Sequence, residues 1–299
     1  MGLFLLYNEH EMKPTRIAIL ADIHGTVPSL LAVMDDLQSH VPDEIIIAGD
    51  FLGGPQPKET LTLLKSLDPL YILGNGEANL LKMHHGTAPQ AWWQSRQFDT
   101  ARWFYSRLDP GDFAFLETLP QHWVVHPEGS EPLRVVHGAP WDINKLVFPH
   151  KEPEVFQRAL EAVPEDVLVF AHTHLPEILR RDGKLAINPG AVGNNLNGDT
   201  RASYATLTWT GEGWAPELHF VAHDLRAVVE VFQDTGFLEA TRPLSRAFLE
   251  SILTGENTAL DYIHYAYKQA EAQGYRNLGT VPDDIWLAAE SSFPWKYDL

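Results

Sequence analysis

The segment AILADIHGTVPSLLAVMDDL (residues 18–37) decides the fold, because it changes from a strand pattern to a helix pattern. The apolar run within 16–22 predicts a buried strand, and the spacing of apolar residues in 29–40 predicts a helix with one apolar face. Asp22 and His24 lie at the junction, at the carboxyl end of the strand. A plain turn would serve there, so an acid and a base two residues apart indicate a functional site.

The same alternation continues along the next part of the chain. Apolar stretches at 43–50 and 69–75 predict two further strands, and 58–67 predicts the helix between them. Strands and helices that alternate at this spacing form a parallel sheet covered by helices.

Beyond residue 120 the pattern changes to short strands separated by turn residues. β-branched and polar residues alternate in these strands, and turn signals such as Asp182-Gly183 lie between them, which predicts antiparallel hairpins. The strands are expected at 122–127, 132–140, 166–174, 177–190 and 202–210.

The chain is expected to have three regions. Residues 1–15 form an N-terminal extension, 16–223 form the main domain, and 224–299 form a helical C-terminal tail packed on that domain. Within the main domain, 88–120 is unusually aromatic and helical, so we interpret it as an insertion rather than another strand–helix unit.

Composition excludes several classes of function. Asp and Glu number 40 against 22 Lys and Arg, a formal charge of −18, so the basic surface of a protein that binds long nucleic acids is missing. The chain has no cysteine, which excludes disulfides, thiolate catalysis and cysteine-bound zinc. Any metal ion must be held by His, Asp, Glu or Asn.

The beginning of the chain does not resemble a secretory signal. It has only the short apolar run 2–7, with no basic region before it and no small-residue cleavage site after it. No apolar run approaches the roughly 18 residues of a membrane span. We therefore expect a cytoplasmic protein that does not bind a membrane. Met12 could equally be the first residue.

Seven polar side chains fall at or just after the ends of predicted strands. In an open parallel sheet, ligands bind at the carboxyl ends of the strands, so these side chains are expected to converge on one edge. They are Asp22, His24, Asp50, Asn75, His137, His172 and His174. Each alone would pass as a turn or helix-cap residue or as a hydrogen-bonded histidine. Together they are too many ligands for one tetrahedral ion and suit two ions that share a carboxylate.

The order of these residues resembles that of a known superfamily. The blocks are ADIHG (21–25), AGD (48–50), GNGE (74–77), VHG (136–138) and AHTH (171–174). Over roughly residues 16–210 the chain is similar to the calcineurin-like metallophosphoesterases, in particular to their compact bacterial and archaeal phosphodiesterases and phosphatases. The tail is not covered by this resemblance.

The resemblance implies a mixed α/β fold: a four-layer αββα sandwich of two mixed β-sheets flanked by helices, here with a helical C-terminal tail. It also implies that one ion is held by Asp22, His24 and His174 and the other by Asn75, His137 and His172. Asp50 would bridge the two ions, and Asp50, Asn75 and His137 would be the catalytic residues.

The resemblance further implies the cofactor and the reaction. The cofactor would be two divalent ions of Mn, Fe, Zn, Co or Ni, with Mn favoured. Two ions about 3.5–4 Å apart can activate a shared hydroxide for attack on phosphorus. Four histidines suit such borderline ions better than an all-oxygen Mg²⁺ site would.

The sequence departs from the superfamily pattern at two positions. Gly76 stands where many members have a histidine that helps the leaving group depart, so that help must come from elsewhere or be unnecessary. His84 and His85 are near in sequence, but they lie about two turns along the predicted helix, so we expect them to be surface residues. Ala171 replaces a usual glycine, which is a small change.

The aromatic insertion bears on the substrate. Its aromatic residues could stack a nucleobase and its arginines could clamp phosphate. They are Trp92, Trp93, Phe98, Trp103, Phe104 and Tyr105, with Arg96, Arg102 and Arg107. The alternative is a helical hairpin that buries its own tryptophans. The insertion thus favours a small-molecule phosphate ester, in particular a nucleotide. A phosphomonoester, a phosphoprotein or a non-catalytic binding scaffold are the alternatives.

Overall fold

The computed structural model describes residues 15–276 and 279–299. The expected extension 1–15 lies outside these residues except for Thr15. The strands in the described part are β1 Arg16–Leu20, β2 Glu44–Ile47, β3 Leu70–Tyr71, β4 His122–Val125, β5 Leu133–Val136, β6 Val167–Val169, β7 Glu177–Arg181, β8 Lys184–Asn188, β9 Ala202–Trp209 and β10 Trp214–Val221. The helices are α1 Val27–His40, α2 Pro57–Lys65, α3 Asn75–His84, α4 Ala91–Gln94, α5 Asp99–Arg107, α6 Pro110–Leu116, α7 Pro153–Glu161, α8 Leu225–Asp234, α9 Phe237–Ala240, α10 Leu244–Thr254, α11 Thr258–Ala272 and α12 Asp283–Ser292, with a 3-10 turn at Arg96–Phe98.

The first sheet has the strand order β10-β9-β1-β2-β3. β1, β2 and β3 run parallel, with Ile17 opposite Glu44 and Ile46 opposite Leu70. β9 is antiparallel to β1, and β10 is antiparallel to β9. The parallel arrangement predicted from the alternating pattern is therefore confirmed for the first three strands.

The second sheet has the order β4-β5-β6-β8-β7 and corrects one expectation. The pairs β4–β5 and β7–β8 are antiparallel as predicted, but β5, β6 and β8 run parallel to one another. Parallel neighbours need a crossover connection, and α7 supplies it between β5 and β6. The prediction of hairpins throughout this region was wrong because the helical period of 153–161 was overlooked. β10 was not predicted either.

Among the described residues, three apolar cores hold the layers together. Ile19 and Ile46 of the first sheet pack between the sheets with Val135 and Val169 of the second. The outer face of the first sheet packs against α1 and α2, and the outer face of the second packs against α7. The fold is thus the expected four-layer αββα sandwich, and both sheets are mixed.

In the described part of the tail, the helices after β10 contribute to two further apolar clusters. One lies within the tail, around Tyr262 and Trp286. The other joins the tail to the aromatic insertion, where Trp103 and Phe104 of α5 contact Phe237 of α9 at ring-centroid distances of 5.6 and 5.8 Å. None of the helices within the described residues is long and apolar enough to span a membrane.

Trp286→Ala should lower the free energy of unfolding by about 3–5 kcal/mol, because it empties a fully buried site in the tail. Trp286 meets the Tyr262 ring edge-on at 5.0 Å, so both lose packing. Urea denaturation followed by circular dichroism measures the change. Leu287→Ala is the control, since its side chain is 40% exposed and should change stability by less than about 0.5 kcal/mol. Equal losses in the two variants would contradict the packing described here.

Candidate metal centre

The structure brings all seven sequence-predicted site residues to one rim of the two sheets. Ligand atoms lie within 4.8 Å of one another in each of two groups, and Asn75 Oδ1 lies 3.0 Å from the Nε2 atom of His137. The groups are Asp22, His24 and His174, and Asp50, His137 and His172. The carboxyl ends of the strands therefore meet as expected from the parallel arrangement.

Five of these seven residues have a left-handed backbone conformation. Their φ angles lie between 48° and 69°, where a residue with a Cβ atom is rarely found and the backbone is strained. They are Asp22, His24, Asp50, His172 and His174. Such a strained conformation persists only where the surrounding contacts hold it in place, and it occurs most often at functional sites. The backbone thus identifies the same site as the side chains do.

Close backbone packing holds these conformations in place. The amide of Asp22 donates to Gly49 O at 3.1 Å, which links the loop after β1 to the loop after β2. A Cβ atom on Gly49 would lie 2.7 Å from Gly74 Cα and from His137 Nδ1, and one on Gly74 would lie 2.0 Å from Asp50 Oδ1. Both positions require glycine because the strand-end loops approach one another closely.

The histidine rings are oriented by backbone carbonyls. Three of the rings each donate one N–H to a carbonyl oxygen. The bonds are His137 Nδ1 to Ala48 (2.9 Å), His174 Nδ1 to Asn194 (2.7 Å) and His172 Nε2 to Asn144 (3.3 Å). The tautomers follow from these partners, so the other nitrogen of each neutral ring carries a lone pair. This is the outer arrangement that metal-binding histidines usually have.

The side chains present fit a metal ion. Nε2 of His137, an acceptor, faces the Asn75 Oδ1 acceptor at 3.0 Å. Among the residues that the structure describes, buried Asp22 Oδ1 has no hydrogen-bond partner; it lies 3.5 Å from His174 Nε2 and 3.8 Å from His24 Nε2. Acceptors that face one another need a cation between them. Imidazole, carboxylate and amide donors suit borderline divalent ions.

Burial sets the charges of the centre. Burial lowers the pKa of His172 to about 4 and that of His174 to about 3, so both rings are neutral at pH 7 and can donate a lone pair. Burial, together with the nearby Asp50 charge, raises the pKa of Asp22 well above its ordinary value. Burial alone would also raise the pKa of Asp50, but the neighbouring imidazoles, His137 foremost, outweigh it and lower that pKa.

Sequence reasoning missed the role of Glu77. This fully buried carboxylate accepts the backbone N–H groups of Asp50 and Gly74 at 2.9 Å and of Leu52 at 2.8 Å. It thereby fixes the loop that carries Asp50 against the start of α3, which carries Asn75. Burial and the Asp50 charge raise the pKa of Glu77, and the three N–H donors oppose that rise. Its position within the GNGE block was the available signal.

The histidines near Gly76 make other contacts. His84 stacks on Phe113 with ring centroids 4.2 Å apart, and His85 Nε2 lies 2.8 Å from the Glu117 carboxylate. The Gly76 amide donates to Asp50 Oδ1 at 2.7 Å, so the backbone at this position supports the candidate bridging carboxylate.

The aromatic side chains and arginines of the insertion mainly contact other residues of the insertion. Trp92 stacks on Phe98 at 5.6 Å and Trp93 meets Tyr105 edge-on at 5.3 Å. Its arginines are also engaged, since Arg96 and Arg102 pair with Asp99 and the Arg107 guanidinium lies 3.9 Å from the centre of the Trp103 ring. These contacts favour a packed helical hairpin over a surface that stacks a nucleobase and clamps phosphate.

Comparison with known proteins gives one family match and several structural likenesses. Residues 15–212 match the model of the calcineurin-like phosphoesterase superfamily domain. An uncharacterized protein of Methanocaldococcus jannaschii is 26% identical over 213 residues, which are 64% of this chain and 82% of that protein.

Several solved structures share the fold, including one from Pyrococcus horikoshii OT3 and one from Sphaerobacter thermophilus. A hypothetical protein from Pyrococcus horikoshii OT3 superimposes with a TM-score of 0.66 at 18% identity, covering 81% of this chain and 98% of that one. A metallophosphoesterase from Sphaerobacter thermophilus gives 0.65 at 23% identity, covering 81% and 100%. At these identities the likeness concerns the fold alone.

Glu77→Ala should weaken metal binding at least about tenfold, the usual effect of losing an outer contact of a metal site. It also leaves three buried N–H groups without an acceptor, at a cost of about 1–3 kcal/mol each in the free energy of unfolding. Isothermal titration with Mn²⁺ and urea denaturation measure the two effects. The control is Glu59→Ala on the exposed face of α2. If the two variants bind Mn²⁺ equally well, Glu77 does not position the site.

Proposed function

Because the chain belongs to the calcineurin-like phosphoesterase superfamily and is therefore a metal-dependent hydrolase, we propose that it uses two divalent ions held side by side. The proposed ligand sets are those that the resemblance to this superfamily implies. One ion would be held by Asp22, His24 and His174 and the other by Asn75, His137 and His172, with Asp50 shared.

The position of Asp50 is the observation that supports a dinuclear centre. Its Oδ2 atom lies 3.9 Å from Nε2 of His24 in one group, and its Oδ1 atom lies 3.5 Å from Nε2 of His137 in the other. Each carboxylate oxygen therefore faces a different group. Since Oδ1 also accepts the Gly76 amide, the carboxylate is held in this orientation by the backbone.

When bound, two such ions supply Lewis-acid charge to the phosphate oxygens and make water acidic enough to react near neutral pH. The chain's own residues hold and orient the site. Asp50, Asn75 and His137 would be the catalytic residues, and the ring of His137 is held in place by its bond to Ala48 O. With Gly76 beside Asn75, proton transfer to the leaving group would use another group, use water, or not be needed for a good leaving group.

The substrate that we propose is a nucleotide ester, because an exposed tryptophan lies beside the candidate metal centre. Trp141 is 36% exposed and lines a cavity of about 70 Å³ together with His137. The Arg158 guanidinium lies 4.0 Å from the centre of the Trp141 ring. An exposed indole beside the phosphate-binding rim can stack a nucleobase. We assign this role to the loop after β5 rather than to the insertion, because Trp141 lines the same cavity as His137.

Chelation should abolish hydrolysis of bis-p-nitrophenyl phosphate and p-nitrophenyl phosphate, and Mn²⁺, Ni²⁺ or Zn²⁺ added separately should restore it, with Mn²⁺ the most effective. After loading with Mn²⁺, mass spectrometry of bound metal should find two ions per chain. Asp50→Ala should stay folded and lose at least about a hundredfold in rate, because it removes the shared carboxylate. His264→Ala, an exposed histidine of α11, is the control.

Two results would contradict the proposal. One is folded protein that cleaves neither ester with any of these metals, and the other is Asp50→Ala with most of its activity. The preferred ester shows whether diesters or monoesters are cleaved first.

Trp141→Ala should raise KM for a dinucleotide phosphodiester about tenfold or more, since stacking contributes about 1–3 kcal/mol per base. KM for glycerophosphocholine, a diester without a base, should not change. Trp93→Ala in the insertion is the matched control, because its side chain is 41% exposed. An equal rise for both substrates would show that Trp141 shapes the rim without recognising a base.

A further inference from the structure

A second cluster of metal-binding side chains lies at the other end of α1. Ligand atoms of Asp36, His40 and His219 lie within 4.8 Å of one another. α1 begins three residues after His24, and its 14 residues extend about 21 Å. The cluster therefore lies well away from the candidate metal centre, and the proposed hydrolysis does not use it.

The last turns of α1 present the first two residues on one face. Asp36 and His40 are four positions apart in the helix, so their side chains are neighbours. The distance from Asp36 Oδ2 to His40 Nε2 is 3.6 Å. Two ligands of one tetrahedral Zn²⁺ ion lie about 3.3 Å apart when each is 2.0–2.1 Å from the metal. This pair needs only a small adjustment to reach that spacing.

The third residue comes from the edge hairpin of the first sheet. His219 in β10 is paired with Tyr204 in β9, and antiparallel partners point to the same side of a sheet. That side faces α1, because Tyr204 packs in the core beneath the helix. The His219 and His40 rings lie 4.2 Å apart.

Further contacts fix the orientation of these side chains. The Tyr204 hydroxyl donates to Asp36 Oδ2 at 2.7 Å, and the Tyr204 ring stacks on His219 at 4.6 Å. The Thr206 hydroxyl lies 2.8 Å from His219 Nε2, which leaves Nδ1 for a ligand. Metal-binding histidines and carboxylates usually have outer partners of this kind.

The charges around the cluster are compatible with a cation. Asp36 and Glu217 both act on His219 as negative charges. His40 and Arg16 act on His219 in the opposite sense. His40 is itself one of the three candidate ligands, and the Arg16 guanidinium is engaged, with one bond to His40 O at 2.7 Å and one to Thr208 Oγ1 at 3.1 Å.

We propose that Asp36, His40 and His219 bind a divalent ion of the Zn²⁺, Co²⁺ or Ni²⁺ class at a site independent of the hydrolytic centre. Two imidazoles and one carboxylate are a donor set that these ions favour over Mg²⁺ or Ca²⁺. Water completes the coordination, since the His40 and Asp36 side chains are 28% and 35% exposed. The bound ion joins the end of α1 to the β9–β10 hairpin and so stabilises the first sheet.

The test compares zinc content in wild-type protein and in His40→Gln, a partly exposed position whose substitution leaves the core intact. After chelation, loading with Zn²⁺ and desalting, the wild type should hold one more zinc per chain than His40→Gln. Its zinc affinity at this site should be at least about tenfold higher, and its melting temperature should rise more with Zn²⁺. Asp35→Asn, the exposed neighbour of Asp36, is the control and should match the wild type.

The difference of one zinc is expected whether or not the hydrolytic centre binds two ions, so this test is separate from that of the proposed function. Hydrolysis should be unchanged in His40→Gln. Crystals of the wild type soaked in Zn²⁺ should give an anomalous peak beside His219. Equal zinc content in the wild type and His40→Gln, or no peak at His219, would overturn the proposal. The three side chains would then be part of a hydrogen-bonded aromatic cluster that binds no metal.

Discussion

The close approach of two buried carboxylates, Asp22 and Asp50, is the constraint on which the rest of the structure depends. Two such charges are unfavourable in a protein interior unless cations or hydrogen bonds compensate them. Compensation by the chain is incomplete, since Asp22 Oδ1 has no hydrogen-bond partner among the described residues. The rings of His172 and His174, which are neutral at pH 7, and the buried Glu77 side chain add no positive charge. The αββα sandwich is thus a rigid frame that holds the acceptor atoms close together, so that cations can bind between them.

Much of this frame could be predicted from the sequence. Continuous apolar runs predicted β1 and β2, and the 3.6-residue period predicted α1 and α2, all to within a few residues, because apolar patterning reflects which face is buried. The rule that polar residues at strand ends converge then placed the seven side chains on one rim. Strand direction in the second sheet could not be predicted in this way. A period of two does not distinguish a parallel strand from an antiparallel one, and only the overlooked α7 could have done so.

Other parts of the site depend on contacts between residues that are distant in sequence. The function of Glu77 follows from three backbone N–H groups that fold around it, and Leu52 is 25 residues away. The cluster on α1 includes His219, which is far along the chain from Asp36. No local sequence motif therefore indicates this cluster. The aromatic insertion was difficult to interpret for a different reason, because its local sequence allowed two interpretations. Its composition suited both base stacking and burial, and only its contacts with the tail and with itself distinguish the two interpretations.

The left-handed backbone at five of the candidate ligands has a consequence for how the centre can change. Asp, Asn and His adopt this conformation more readily than most residues, so the requirements of the backbone and of the metal select similar side chains. Glycine would relieve the strain altogether and would remove the ligand with it. At these positions, a substitution that increases stability therefore decreases hydrolysis. Selection for a more stable chain alone would replace these metal ligands first.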